Sequence, residues 1–417
     1  MRRTLLALAL LLAPLSLTAA PAGASGLPAP GTIKHIVVID LENESFANVF
    51  SSSSPATYLT GPLEKDGVLI THYYATAHVS LPNYIAQVSG QAPTPTTQLD
   101  CGATFDNVAP GTVLTGTDAL GQVKAKKGCV YPSTVATIAD QLDQISPPDP
   151  TTHKAAWRAY EEDMGNNATR DNGTTCAHPA IGAANTTQFA QGGPTGKNDG
   201  YAARHDPFVW FHSIIDQTAE CQANVVPLGT YAHKQAVGPL ASDLSSTATT
   251  PAFGFISPSL CNDGHDEVCV SKSAAGGTTG GLVAANAWLK HWMPVILSSP
   301  AFTEGSMLVV ITMDEAGIGQ KGSGNLCCGE LPGPNVSQAG GVFGAGGGQI
   351  GALVLGPSSL ITPGSVDKKG KYNHYSALRT YEDLLGITTG GSDGLGHLGM
   401  AGAPGLATFG TDVFNAS

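Results

Sequence analysis

The sequence predicts an α/β fold built on a mostly parallel central sheet, and two observations carry that expectation. Two runs, Ile33 to Leu41 and Met307 to Met313, are almost continuously apolar and rich in β-branched residues, the composition of strands buried on both faces. Each run then gives way abruptly to acidic and amide residues: Asp40, Glu42 and Asn43 at the end of the first, Asp314 and Glu315 after the second. Open α/β sheets hold their ligands beyond the carboxyl ends of parallel strands, which is where these groups fall.

The remaining elements follow in order. A hydroxyl residue, Ser80, stands ahead of Pro82 and an amphipathic stretch that Gly90 closes, so a helix is expected to start there. Further helices are expected over Thr134 to Ile145, Thr152 to Asp163, Leu282 to Ser298 and Tyr375 to Leu385, the last with Asn373 as N-cap and Gly386 as its stop. Gln349 to Leu355 reads as a third strand, ending at Gly356-Pro357. Strands alternating with helices favour α/β over segregated classes. Segments rich in Gly, Ser, Thr, Pro and Asn (91–121, 166–200, 276–281 and 317–348) read as long loops stapled by cysteines.

At the amino terminus, Met1-Arg2-Arg3, an apolar run from Leu5 to Leu17 and the small residues Ala19, Ala20, Ala22 and Ala24 read as a secretory signal over residues 1–24. Residues 25–417 are then expected to form one exported domain of about 390 residues. The eight cysteines suit disulfides. No Cys-x-x-Cys pair marks a thiolate zinc site. Cys261 and Cys269 are spaced to close a small loop, whereas the adjacent Cys327 and Cys328 are each expected to pair elsewhere. The net charge of −12 and the scarcity of Lys/Arg clusters leave no basic stripe, which argues against nucleic acid as a partner. No further segment is long and apolar enough for a membrane anchor, and oligomeric state is not legible.

The chemistry lies in three groups. Ser80 at a helix start faces backbone N–H groups and can attack phosphorus if its pKa falls. Glu42, Asn43, Asp314 and Glu315 are oxygen ligands for a hard or borderline divalent cation, Mg²⁺, Ca²⁺, Mn²⁺ or Zn²⁺. His205 beside Asp206, and His265 in the run Cys261-Asn262-Asp263-Gly264-His265-Asp266, can protonate a leaving oxygen or hold a phosphate oxygen. His374 is a weaker histidine of the same kind. The other nine histidines are read as surface or core residues, with His72 and His78 kept open because they precede Ser80 closely. Together these groups describe a metal-dependent phosphoryl-transfer site.

In order along the chain, Glu42-Asn43-Glu44-Ser45-Phe46, Ser80-Leu81-Pro82-Asn83-Tyr84, His205-Asp206-Pro207-Phe208, Asn262-Asp263-Gly264-His265-Asp266, Thr312-Met313-Asp314-Glu315 and the stretch from Asn373 to Asp383 resemble the bacterial phosphoesterase family of secreted acid phosphatases and phospholipases C. That resemblance covers nearly the whole mature chain. It implies an alkaline-phosphatase-like fold with Ser80 as nucleophile, Glu42, Asn43, Asp314 and Glu315 on metal, and His205 and His265 lining the phosphate site. His374 matches the same pattern, and Asp263 falls with His265 as a substrate-binding residue. Where the family often has Arg and Asp, this chain has Glu44 and Ala47. The Cys/Ser-x-Pro-x-Arg signature that sulfatases of the same superfamily require does not include Ser80.

The expected activity is hydrolysis of a phosphomonoester through a phosphoserine at Ser80. One alternative is a phospholipase C acting on a phospholipid head group, which needs a broad apolar mouth and could add a cation-recognising aromatic cluster from Trp157, Trp210, Trp288 and Trp292. The other is an inactive secreted binding protein that keeps a structural metal.

Overall fold

The computed structural model describes residues 26–415 apart from 103, 110, 116–119, 147–154, 188–198, 266–267 and 270–271. The signal-peptide expectation and Asp266 lie outside the described residues.

Eight strands form the central sheet: β1 (His35–Leu41), β2 (Gly67–Ile70), β3 (Trp157–Glu161), β4 (Val225–Pro227), β5 (Phe253–Ser257), β6 (Met307–Met313), β7 (Ala352–Leu355) and β8 (Ser365–Asp367). Their order across the sheet is β8-β2-β7-β6-β1-β5-β3-β4. Every neighbouring pair is parallel except those that involve β7, which runs against both β6 and β2. The two strands most legible in sequence, β1 and β6, lie side by side at the centre. All seven residues of each are buried, as a strand covered on both faces requires.

Their register positions the site. Asp40 pairs with Thr312 and Leu41 with Met313, so Glu42 and Asn43 leave the sheet beside Asp314 and Glu315. A slip of one residue would turn these groups to opposite faces.

Four helices matter here: α1 (Ser80–Ser89), α2 (Ile138–Ile145), α3 (Gly281–Leu297) and α4 (His374–Leu384). Helix α4 is capped by Asn373, which accepts from the Ser376 N–H at 3.0 Å, and Gly386 follows in the left-handed region, as anticipated. Helix α1 ends at Gly90, φ 65°, where an added Cβ would stand 2.2 Å from the Leu398 carbonyl oxygen. Only glycine fits that close approach. Helices α1 and α4 pack on each other.

Three expectations are corrected. Within the helix expected over Thr152 to Asp163, of which 152–154 lie outside the described residues, Trp157–Glu161 is instead strand β3, hydrogen-bonded in parallel to β5 and β4. Its aromatic residues are buried on both faces, and pairing with two neighbours overrides the helix-friendly Ala, Arg and Glu. The helix expected from Thr134 begins four residues later at Ile138, because Thr137 and Asp140 form a reciprocal capping box. Cys327 and Cys328, expected to pair elsewhere, bond to each other. The other six cysteines are consumed as Cys101–Cys129, Cys176–Cys221 and the anticipated Cys261–Cys269, which leaves the adjacent pair no other partner.

Candidate active site

Glu42 is the hub. Its side chain is 1% exposed, and each oxygen faces two groups. Ser80 Oγ donates to Oε2 at 2.9 Å and Asn43 Nδ2 donates to the same oxygen at 3.1 Å. Tyr84 OH donates to Oε1 at 2.7 Å, and His205 Nε2 stands 3.2 Å from Oε1. Tyr84 is one helical turn beyond Ser80 on α1, so both point to one face. The Tyr84 and His205 rings lie parallel, 5.2 Å apart.

Burial drives the Glu42 carboxyl well above its ordinary range, and the negative charge of Asp263 adds to the rise. Asp314 is pushed up in the same direction by burial and then by Glu42 and Glu315. Asp314 Oδ1 accepts from the Asn43 N–H at 2.9 Å, while Oδ2 is buried with no partner among the described residues. Beneath both, Asp40 is held by Gln87 Nε2 at 2.6 Å, and burial lifts it to about 8.

The turn ahead of Ser80 is tightly held. Val79 adopts φ 77°, rare for a β-branched residue and a form of strain that concentrates at functional sites. Asn83 fixes the turn by accepting from the N–H groups of Thr76 and Ala77 and donating to the carbonyls of Ala77 and Val79. Glu315 Oε1 accepts from the Val79 N–H at 2.8 Å, and Oε2 bonds His78 Nδ1. Burial alone would lower the His78 imidazole, but Glu315 and the Ser323 carbonyl pull it above its usual value. Asp100 Oδ1 accepts from the Leu81 N–H at 3.0 Å, and its Oδ2 faces Arg204 Nε across 3.7 Å.

The structure therefore brings the buried Ser80, Glu42, Asp314 and His205 into one cluster with the half-buried Asn43. Asp263 joins it through its backbone carbonyl, which accepts from the Glu42 N–H at 2.9 Å, and its Oδ1 accepts from the His265 N–H at 3.0 Å. Gly264, φ 109°, makes the turn that presents His265. His265 is exposed, and its Nδ1 accepts from Asn43 Nδ2 at 3.0 Å. Glu315 is adjacent, but both its oxygens serve the Ser80 turn. His374 is not at the mouth of the site: it is fully buried, its Nε2 bonds the Asp314 carbonyl at 2.7 Å and its Nδ1 meets Tyr73 OH at 3.2 Å. Burial lowers it to about 4, so it is neutral and orients β6 rather than a substrate.

Sequence reasoning missed Tyr84, Asp100 and Arg204, and left His78 open. The four-residue spacing from Ser80 to Tyr84 was the available signal for the first. Nothing local marked Asp100 or Arg204, which meet only through the fold.

Among the described residues no three or more His, Cys, Asp and Glu side chains form a ready-made metal group. The oxygen set still fits a cation. Two buried carboxyls repel each other's charge, and one of their oxygens has no partner. The Asn43 backbone carbonyl already accepts from Gly317 N–H and Gln320 Nε2, so of its two oxygens the amide Oδ1 is the one that would face a cation.

A pair of buried carboxyls thus lies beside a helix-borne serine at the carboxyl edge of a mostly parallel sheet. The chain belongs to the Phosphoesterase family, whose model matches residues 52–388. It is 27% identical over 255 residues to the phosphate-repressible acid phosphatase of Penicillium chrysogenum, covering 61% of this chain and 42% of that protein. It is 24% identical over 288 residues to an acid phosphatase of Aspergillus niger, covering 69% and 48% respectively. The chain thus spans less than half the length of these curated relatives. A solved structure of a protein in the alkaline phosphatase superfamily from Vibrio parahaemolyticus is similar at 15% identity, covering 87% of this chain and 68% of that one, with a TM-score of 0.44.

Proposed function

We propose that the protein is an exported, metal-dependent phosphoric ester hydrolase that acts on phosphomonoesters with Ser80 as nucleophile. The observation that carries this reading is the 2.9 Å hydrogen bond from Ser80 Oγ to Glu42 Oε2, which sets the hydroxyl on a carboxylate in register with Asp314. Glu42, Asp314 and Asn43 would hold a divalent cation, with Glu315 alongside. When bound, such an ion lowers the pKa of a neighbouring hydroxyl and offsets charge on phosphoryl oxygens.

The chain's own residues supply the rest. Ser80 attacks phosphorus, the P–O ester bond breaks, and the leaving alcohol takes a proton. His265 is the donor favoured for that proton: it is exposed beside Asn43, and in its imidazolium form it gives the proton from Nε2. Water then hydrolyses the phosphoseryl group. His205, kept neutral by burial and by the nearby charge of Arg204, steadies Glu42. Catalysis on this reading comes from positioning and charge neutralisation.

Phosphomonoesters are favoured over phospholipid head groups because the four tryptophans do not gather into one cage. Trp157 packs on Phe208 and donates to Asp143, whereas Trp210 packs near Phe105 and donates to the Ala203 carbonyl. Only Trp288 and Trp292 are neighbours, at 6.3 Å. The acid phosphatase relatives point the same way. A binding protein without turnover is disfavoured by the intact nucleophile and carboxylate set. Export is supported by four disulfides, and among the described residues no helix is long and apolar enough to cross a membrane. The leader at 1–24 and one domain over 25–417 remain part of this proposal.

The test is acid quenching during turnover of a phosphomonoester, followed by mass spectrometry of the peptide that contains Ser80. A phosphate adduct on Ser80 is expected. Steady turnover with the adduct on another residue would overturn the assignment.

A further inference from the structure

A second cavity, of about 370 Å³, opens beyond the ends of β3 and β4, with Glu162, Asp163, Tyr231, Asn262, Ser273 and Trp288 in its wall. It adjoins the Ser80 site through consecutive residues: Asn262 lines the cavity, and the carbonyl of Asp263 accepts from the Glu42 N–H. A volume of this size is at the lower end of small-molecule sites.

The wall combines three kinds of group. Its two carboxylates are held in place, Glu162 Oε2 by the Ser259 N–H at 2.9 Å and Asn262 Nδ2 at 3.0 Å, and Asp163 by the Gly200 N–H and Asn166 Nδ2. Two buried polar atoms, Trp288 Nε1 and Ser273 Oγ, have no partner among the described residues, although the residues are only 0% and 4% exposed. Buried donors of this kind are costly unless something satisfies them. Aromatic surface completes the wall, with Trp292 beside Trp288 and Tyr231 stacked 4.4 Å from His291.

These groups select among ligands. An anion would meet two carboxylates. An ammonium ion, quaternary or not, has no atom to accept from Trp288 Nε1. A purely apolar group would satisfy neither Trp288 nor Ser273. A hydroxyl-bearing ring donates to Glu162 and Asp163, accepts from the indole N–H, and lays C–H groups on aromatic faces.

We infer that this cavity binds a neutral polyhydroxylated ring of monosaccharide or cyclitol size. The further step, that this ring is the alcohol portion of the phosphoric ester, rests on the phosphoesterase reading.

Isothermal titration of the protein with D-glucose and with myo-inositol, and with choline chloride as control, tests the ligand class. Saturable binding of at least one polyol is expected, weakened about fivefold or more by each of Trp288→Phe, Ser273→Ala and Glu162→Gln, roughly the worth of one hydrogen bond. The two smaller changes keep the test valid if Trp288→Phe does not fold. No saturable polyol binding, or choline binding in its place, overturns the inference. The bound polyol should also raise KM for its own phosphate ester without lowering kcat. Binding with no change in KM overturns the leaving-group role alone. Polyol binding by a protein that hydrolyses no phosphoric ester upholds the cavity's ligand and overturns the phosphoesterase reading instead.

Discussion

Glu315 accepts from the backbone N–H of Val79 at 2.8 Å, so a carboxylate delivered by strand β6 holds the turn that delivers the nucleophile from helix α1. The same side chain bonds His78, and His78 Nε2 reaches the Ser323 carbonyl at 2.9 Å. A residue read in sequence as a metal ligand thus also restrains the one strained residue next to Ser80.

Glu315→Ala should release Val79 from φ 77° and lower kcat by about 10²-fold, the cost of a misplaced reacting group. Glu315→Gln keeps an oxygen for the Val79 N–H and should retain more of kcat than Ala does. Steady-state kinetics on both variants checks this; equal losses in the two would show that charge, not position, is what Glu315 supplies.

Tyr84 supports the site from behind. Tyr84→Phe deletes the hydroxyl that donates to Glu42 Oε1 at 2.7 Å and is expected to weaken divalent-metal affinity about 10–100-fold, as loss of a supporting hydrogen bond commonly does. Calorimetric titration of the chelator-stripped protein reads this directly. Unchanged affinity would place the cation away from Glu42.

Much of this was legible in the chain. Strands β1 and β6 announced themselves as apolar runs, because burial on both faces leaves a strong local signature, and the carboxylates at their ends stand together as their positions suggested. The helix at Ser80 was visible from Pro82 and Gly90. Strand β3 was not, since Trp157–Glu161 becomes a strand only by pairing with β5 and β4. The role of His374 was equally hidden: its motif marked it as important, but only the fold shows it bonded to the Asp314 carbonyl. Arg204 and Asp100, more than a hundred residues apart in sequence, carry no shared local pattern at all.

His397 gives a pH dependence outside the site. Its Nδ1 and Nε2 face Asp393 at 2.6 Å and Asp383 at 3.0 Å. Burial alone would lower the imidazole, but the two carboxylates raise it above its ordinary value of 6.5. A raised folded-state pKa means the stabilisation is fully present below about pH 6.5 and is lost as pH rises through the folded value. His397→Gln should therefore cost of order 1 kcal/mol at pH 5.5 and less at pH 8.5, as measured by denaturant unfolding. An equal cost at both pH values would mean that packing, not charge, sets the contribution.

The Cys261–Cys269 bridge closes the loop that carries Asn262, Asp263 and His265. Replacing both cysteines with serine should destabilise the protein by about 2–3 kcal/mol and raise KM by loosening His265. Thermal unfolding with parallel kinetics checks both; a stability loss with no change in KM would remove His265 from substrate contact.

The central claim is that Ser80 and a carboxylate-held cation act together on a phosphoric ester. Phosphate release from p-nitrophenyl phosphate, before and after chelation and with Ser80→Ala alongside, tests it most directly. The account predicts release that chelation abolishes and that Ser80→Ala reduces at least about 10³-fold. Full release by Ser80→Ala with unchanged metal content would contradict it.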